Sequence, residues 1–110
     1  MTHHKELADG KWRGLTLAEQ FGNIGSEVYR ALRWRGKDDE QFKHAIERAL
    51  ELYDLTLEDP RWLGARKREI ARAREIFCDA ITGGKEYGSS LESVDQYLSH
   101  FAYAARKDLE

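Results

Sequence analysis

Few side chains in this sequence could make or break bonds. There is one cysteine, Cys78, and there are four histidines, His3, His4, His44 and His100. A nucleophilic thiol needs a lowered pKa, a neighbouring base and access to solvent. Cys78 follows Phe77 on the apolar side of a helical pattern, and only His100 on the next segment offers a base, so it reads as a buried structural thiol. A single cysteine also excludes an intrachain disulfide and a cysteine-based zinc site. Carboxylate-bridged metal bundles need Glu-x-x-His on two helices. Here Gln41 stands three residues before His44 and Tyr97 three before His100. Glu40 and His44 form an ordinary i, i+4 surface pair, and His3–His4 can hold a metal only weakly. Ribonuclease-type arginine–histidine spacing is absent as well: Arg30, Arg33 and Arg35 precede His44 by 14, 11 and 9 residues, and Arg74 is the nearest arginine before His100. No glycine-rich phosphate loop of either common type occurs. The expectation is a protein without catalytic residues, resident metal or cofactor.

Binding chemistry is better represented. Each of the three tryptophans stands beside basic residues, in Lys11-Trp12-Arg13, Arg33-Trp34-Arg35 and Arg61-Trp62. Arg66, Lys67, Arg68, Arg72 and Arg74 add positive charge farther on, and Arg30 and Lys37 lie near Trp34. Phosphates could be neutralised by such a set while an indole stacks on a base. Alternatively, the indoles seal helix ends against the core while arginine stems lie along them. Arg33, Trp34, Arg35, Trp62, Arg68 and Arg72 are therefore the expected surface for a partner or nucleic acid. A second pattern is a stripe of small residues, Ala18, Gly22 and Ser26, with Gly25 beside it and Asn23 between. Each interior glycine costs about 0.5–1 kcal/mol relative to alanine. Two in one helix imply close approach of another helix, from the same subunit or a second one, with Gly22, Gly25 and Ser26 at the contact.

Four helical segments must position these groups. Leu17, Phe21, Ile24, Val28 and Leu32 mark the first, over about 17–35, opened by the Thr16/Glu19 capping box and ended by Gly36. Phe42, Ile46, Ala49, Leu50, Tyr53 and Leu57 mark the second, over about 39–58, with Ala45, Leu52 and Leu55 widening its face. Ile70, Ala73, Phe77, Ala80 and Ile81 mark the third, over about 65–82, after a turn that Asp59 and Pro60 could start. Leu91, Val94, Leu98, Phe101 and Ala105 mark the fourth, over about 90–107, with Ser89 and Glu92 as its expected capping box. Short links favour antiparallel neighbours. The expected fold is all-α, an antiparallel up-down-up-down four-helix bundle over residues 15–110 with an N-terminal arm at 1–14.

The chain has 110 residues, is 41% hydrophobic and 35% charged, and has a net charge of -2. This suits one domain with a genuine core and excludes a disordered chain. No apolar run approaches the roughly 20 residues of a membrane span, and MTHHKELADGK lacks the apolar middle of a secretion signal. A cytoplasmic protein with no membrane partner is expected. Net charge alternates along the chain: +3 over residues 1–37, -6 over 38–60, +4 over 61–85 and -3 over 86–110. Neighbouring helices would attract weakly through such charges, or acidic and basic faces would meet across subunits.

The segments LTLAEQFGNIGSEVYRALRW, ERALELYDLTLEDPRW, REIARAREIFCDAI, EYGSS and FAYAAR resemble a family of small, uncharacterised bacterial all-helical proteins. That likeness carries no activity. More distantly, size and helical plan are similar to proteins encoded in intervening sequences of ribosomal-RNA genes, and to the accessory variability protein of diversity-generating retroelements. The latter resemblance implies a ring-like homo-oligomer that binds a reverse transcriptase and its RNA, although those proteins are markedly basic and this chain is slightly acidic. The functional expectation is a non-enzymatic, self-associating helical adaptor, an accessory subunit of a reverse-transcriptase ribonucleoprotein. The alternative is an RNA-binding or RNA-processing helical protein.

Overall fold

The computed structural model describes residues 10–109, with side chains through Ala104. His3, His4 and the first nine residues of the expected arm lie outside the described residues. A 3₁₀ turn at Trp12–Gly14 precedes four α-helices: α1 (Leu17–Trp34), α2 (Asp39–Leu57), α3 (Ala65–Ile81) and α4 (Leu91–Leu109). No strand occurs among the described residues.

The helix boundaries follow from local chemistry. At the start of α1, Glu19 N–H donates to Thr16 Oγ1 at 3.1 Å and Thr16 N–H donates to the Glu19 carboxylate at 2.9 Å, the reciprocal capping box. Asp38 accepts from the amides of Glu40 and Gln41 to open α2. Helix α3 begins at Gly64 without a side-chain cap. The capping pair of α4 differs from the sequence expectation. Ser90 and Ser93 cap reciprocally, each amide donating to the other's hydroxyl. Ser89 is drawn elsewhere: its hydroxyl lies 2.7 Å from Asp79 Oδ2, where Asp79 also accepts from the amides of Glu86 and Tyr87. These bonds hold the Asp79 carboxyl below its usual pKa, and the largest contribution is the Glu86 amide. One carboxylate thereby organises the α3–α4 link.

The core is built on α1, whose Phe21, Ile24, Val28 and Ala31 are completely buried. α1 packs broadly against α2 and α4, whereas α3 touches α2 and α4 through far fewer residues. Gly22 and Gly25 explain the tight α1–α4 contact. A Cβ at Gly22 would stand 3.1 Å from Ala102 Cα, and one at Gly25 would stand 3.0 Å from Leu98 Cβ. Position increases on α1 as it decreases on α4, so these two helices run in opposite directions. The contact that the small residues implied lies within one chain. Phe21 then meets Phe101 edge-on at 4.9 Å. On α2 the buried face is rotated from the expected stripe: Ala45, Ala49, Leu52, Tyr53 and Thr56 are buried, while Leu50 and Leu57 are half-buried. The helix turns between two neighbours, with Ala49 and Ala45 small enough for close packing.

A buried polar knot closes one end of the molecule. Gln20, completely buried, donates from Nε2 to Trp12 O at 2.9 Å and to Asp59 Oδ2 at 3.1 Å. Its Oε1 accepts from Trp62 Nε1 at 2.8 Å. Trp12 Nε1 donates to Thr56 Oγ1 at 3.1 Å, and that hydroxyl donates to Leu52 O at 2.7 Å. Arg61 clasps Asp59 through Nε and Nη2 and also reaches Leu15 O at 2.7 Å. The N-terminal turn, the start of α1, the end of α2 and the α2–α3 link are thereby joined.

Two measurable consequences follow from this packing. Gly25→Leu drives a branched side chain into Leu98, at a cost of about 3 kcal/mol. Calorimetry should show a melting point lower by roughly 10–20 °C, and an unchanged melting point would overturn the close contact. The clasp by Arg61 lowers the Asp59 carboxyl from 3.8 to about 2. Because the folded value lies below the unfolded one, the associated stability is complete above pH 3.8 and is lost as pH falls toward 2. Asp59→Asn should flatten that part of the acid-unfolding curve followed by circular dichroism.

Candidate functional site

Fixing α1 on both flanks leaves its remaining face as the floor of a groove. The groove has a volume of about 740 Å³ and is walled by α2 on one side and α4 on the other. Arg30, Arg33 and Arg48 border it with Tyr29 and Trp34. Gly22 and Gly25 lie in its floor, where the absence of side chains lets α4 come close. Ser26 also borders it, with its hydroxyl 3.3 Å from Gly22 O.

The aromatic groups are placed for contact. Tyr29 is 61% exposed, and the Arg33 guanidinium lies 5.9 Å from the centre of the half-buried Trp34 ring. A cation over an indole keeps its charge while presenting a flat surface. The other two arginines share one acid. Glu27 is 8% exposed, with Oε1 3.5 Å from Arg30 and Oε2 4.0 Å from Arg48. Its Oε2 is buried and accepts no hydrogen bond. This carboxylate is poorly matched to its partners, so it offsets the two guanidiniums without saturating their donors. On the α4 wall, Asp95 is the opposing acid, and partial burial pushes its carboxyl up from the usual range. The groove can therefore hold an extended anionic surface by paired donors and an aromatic face.

The six residues expected to form one partner surface are dispersed. Arg33 and Trp34 meet in the groove. Arg35 lies at the end of α1 and forms an ion pair with Glu92 of α4. Their hydrogen bond raises the arginine and lowers the carboxyl. Trp62 is half-buried in the polar knot with Arg61 stacked 4.5 Å from its ring centre. Arg68 is exposed on α3, and Arg72 stands at the mouth of a separate cleft between α3 and α4. Trp12 is 1% exposed, so two of the basic-flanked tryptophans join the core. Cys78 is half-buried, with Arg74 Nη1 3.7 Å from its sulfur. Among the described residues no cluster of three or more His, Cys, Asp and Glu could hold a metal, and no helix is long and apolar enough to cross a membrane.

Sequence reasoning missed Arg48, because it sits in the acidic second segment. Its signal is periodicity: Gln41 and Arg48 are two turns apart on α2, and both border the groove. No family model, curated protein or solved structure matches the chain.

Glu27→Gln removes a buried charge whose Oε2 has no hydrogen-bond donor. The melting point should hold within a few degrees or rise, and anion affinity at the groove should increase at least threefold. A large loss of stability on calorimetry would show that the loose Glu27–Arg48 ion pair holds α1 to α2.

Proposed function

We propose that this chain is a non-enzymatic cytoplasmic adaptor, folded as an up-down-up-down four-helix bundle, that presents the α1 groove to an anionic macromolecular partner. The observation that supports this reading is the meeting of Arg30, Arg33, Tyr29 and Trp34 of α1, a helix pinned from both sides, with Arg48 of α2. Arginine guanidiniums suit such a surface because each offers several donors in a fixed plane, which match carboxylates or phosphates in pairs. Self-association draws no support from the glycine stripe, since the molecule's own α4 occupies it. The resemblance to retroelement accessory proteins makes a reverse-transcriptase ribonucleoprotein the first assembly in which to seek the partner.

RNA is the second reading, and Tyr29 favours it. At 61% exposure beside Trp34, its ring is open for stacking on a base. Against it stands the overall charge of -2, whereas dedicated nucleic-acid surfaces are usually basic.

The two readings separate in one titration. Labelled poly-glutamate and a structured RNA are added to the protein at ~50 and ~150 mM salt, and fluorescence anisotropy is read. The adaptor reading expects saturable binding of the acidic chain, weakened at least tenfold by Arg33→Glu, and RNA binding that vanishes at the higher salt. RNA affinity that persists with a defined salt slope selects the second reading. Failure of both ligands to bind overturns the groove as a partner site.

A further inference from the structure

The thin packing of α3 leaves a second opening, separate from the groove. Between α3 and α4 lies a cleft of about 370 Å³ that reaches inward to Tyr53 of α2. This is near the lower end of the roughly 300–1,000 Å³ typical of small-molecule sites. Its walls are apolar: Ala73 and Ile76 come from α3, and Val94 and Tyr97 from α4. The short Ala73 side chain faces this space where a leucine would fill it. Tyr53 is 1% exposed, packs on Phe77 at 5.5 Å, and burial pushes its hydroxyl up from the ordinary value. Tyr97 is 44% exposed and leans edge-on against Phe101 at 5.3 Å.

Two opposite charges stand with these walls. Glu69 and Arg72 are one turn apart on α3, both are exposed, and both line the cleft. Neither makes an ion pair among the described residues, in contrast to Arg74 on the same helix, which holds Asp54 at 2.9 Å. Glu69 is close enough to Tyr97 to raise its hydroxyl, second to the effect of burial.

This combination restricts what fits. A hydrocarbon would fill the walls and leave both charges unanswered. A simple carboxylate would meet Arg72 but face Glu69, and a simple amine would meet Glu69 but face Arg72. A molecule that carries both charges beside an apolar group answers all three features. We propose that the α3–α4 cleft binds a small zwitterion with an apolar side chain, a free hydrophobic α-amino acid, with its carboxylate at Arg72, its ammonium at Glu69 and its side chain against Ala73, Ile76 and Val94. The assignment is independent of the groove and its partner.

The test is a calorimetric titration of the full chain with L-phenylalanine and L-leucine. It is run beside 3-phenylpropionate, which lacks the ammonium, and phenethylamine, which lacks the carboxylate. At least one amino acid should bind saturably, with L-phenylalanine or L-leucine at least tenfold tighter than either analogue. Arg72→Gln and Glu69→Gln, both at exposed positions, should each reduce amino-acid affinity at least tenfold while the melting point without ligand stays unchanged. No saturable binding of either amino acid overturns the proposal. Analogues that bind as tightly as L-phenylalanine, or variants that bind like the wild type, overturn the paired-charge recognition.

Discussion

Gln20 is an amide in a position where the helix pattern would put a hydrocarbon, and the rest of the molecule is arranged around satisfying it. Both its nitrogen and its oxygen are used, toward Trp12, Asp59 and Trp62. Burying an amide without partners is expensive, whereas a fully bonded network in a low-dielectric interior is rigid and selective about geometry. The same network neutralises Asp59, whose side chain has no exposure, by the double clasp of Arg61. Because its members come from the N-terminal turn, α1, α2 and the α2–α3 link, the network forms only when these segments are correctly docked. It selects the register of α1 against α2 in a way that interchangeable apolar contacts do not.

From that fixed end, α1 is held along its length by three different kinds of force. The knot holds its first turn. Backbone-close contact at Gly22 and Gly25 holds its middle against α4. The Arg35–Glu92 pair ties the residue just after its C-terminus to the start of α4, a solvent-exposed contact that water and salt screen. The groove inherits this rigidity, since most of its lining belongs to α1. Its positive groups are therefore displayed at defined spacing, which lowers the entropy lost when a partner binds.

α3 obeys a different logic. It is the most highly charged helix on its outer side, its N-terminus has no side-chain cap, and its contacts with α2 and α4 are sparse. Its buried anchors are Ile70, Ala73 and Phe77. Elements with few buried apolar contacts open at lower free-energy cost than the rest of a fold. The loop that follows α3 compensates by converging four hydrogen-bond donors on Asp79. The α3–α4 cleft thus has a lightly packed helix as one wall, tethered at its C-terminal end by that loop, a setting in which a small ligand can enter without disturbing the core around α1.

Local sequence by itself determined the number, type and approximate span of the helices. Apolar periodicity and caps such as Thr16/Glu19 and Asp38 act over three or four residues and are visible in the chain. The Gly22/Gly25 pair likewise announced a close helix contact, because glycine is costly in a helix unless something fills its place. Tertiary structure decided the rest. Whether an indole beside basic residues joins the core or borders a groove depends on what lies across from it: Trp12 and Trp62 meet Thr56 and Gln20, distant in sequence, while the half-buried Trp34 lines the groove. Arg48 joins the groove from an acidic helix for the same reason. Ser89 stands outside the helix cap, its hydroxyl donating to Asp79 ten residues earlier. Short-range hydrogen bonds and helix periodicity are encoded locally, but the destination of a long polar or aromatic side chain depends on partners that only the folded chain brings near.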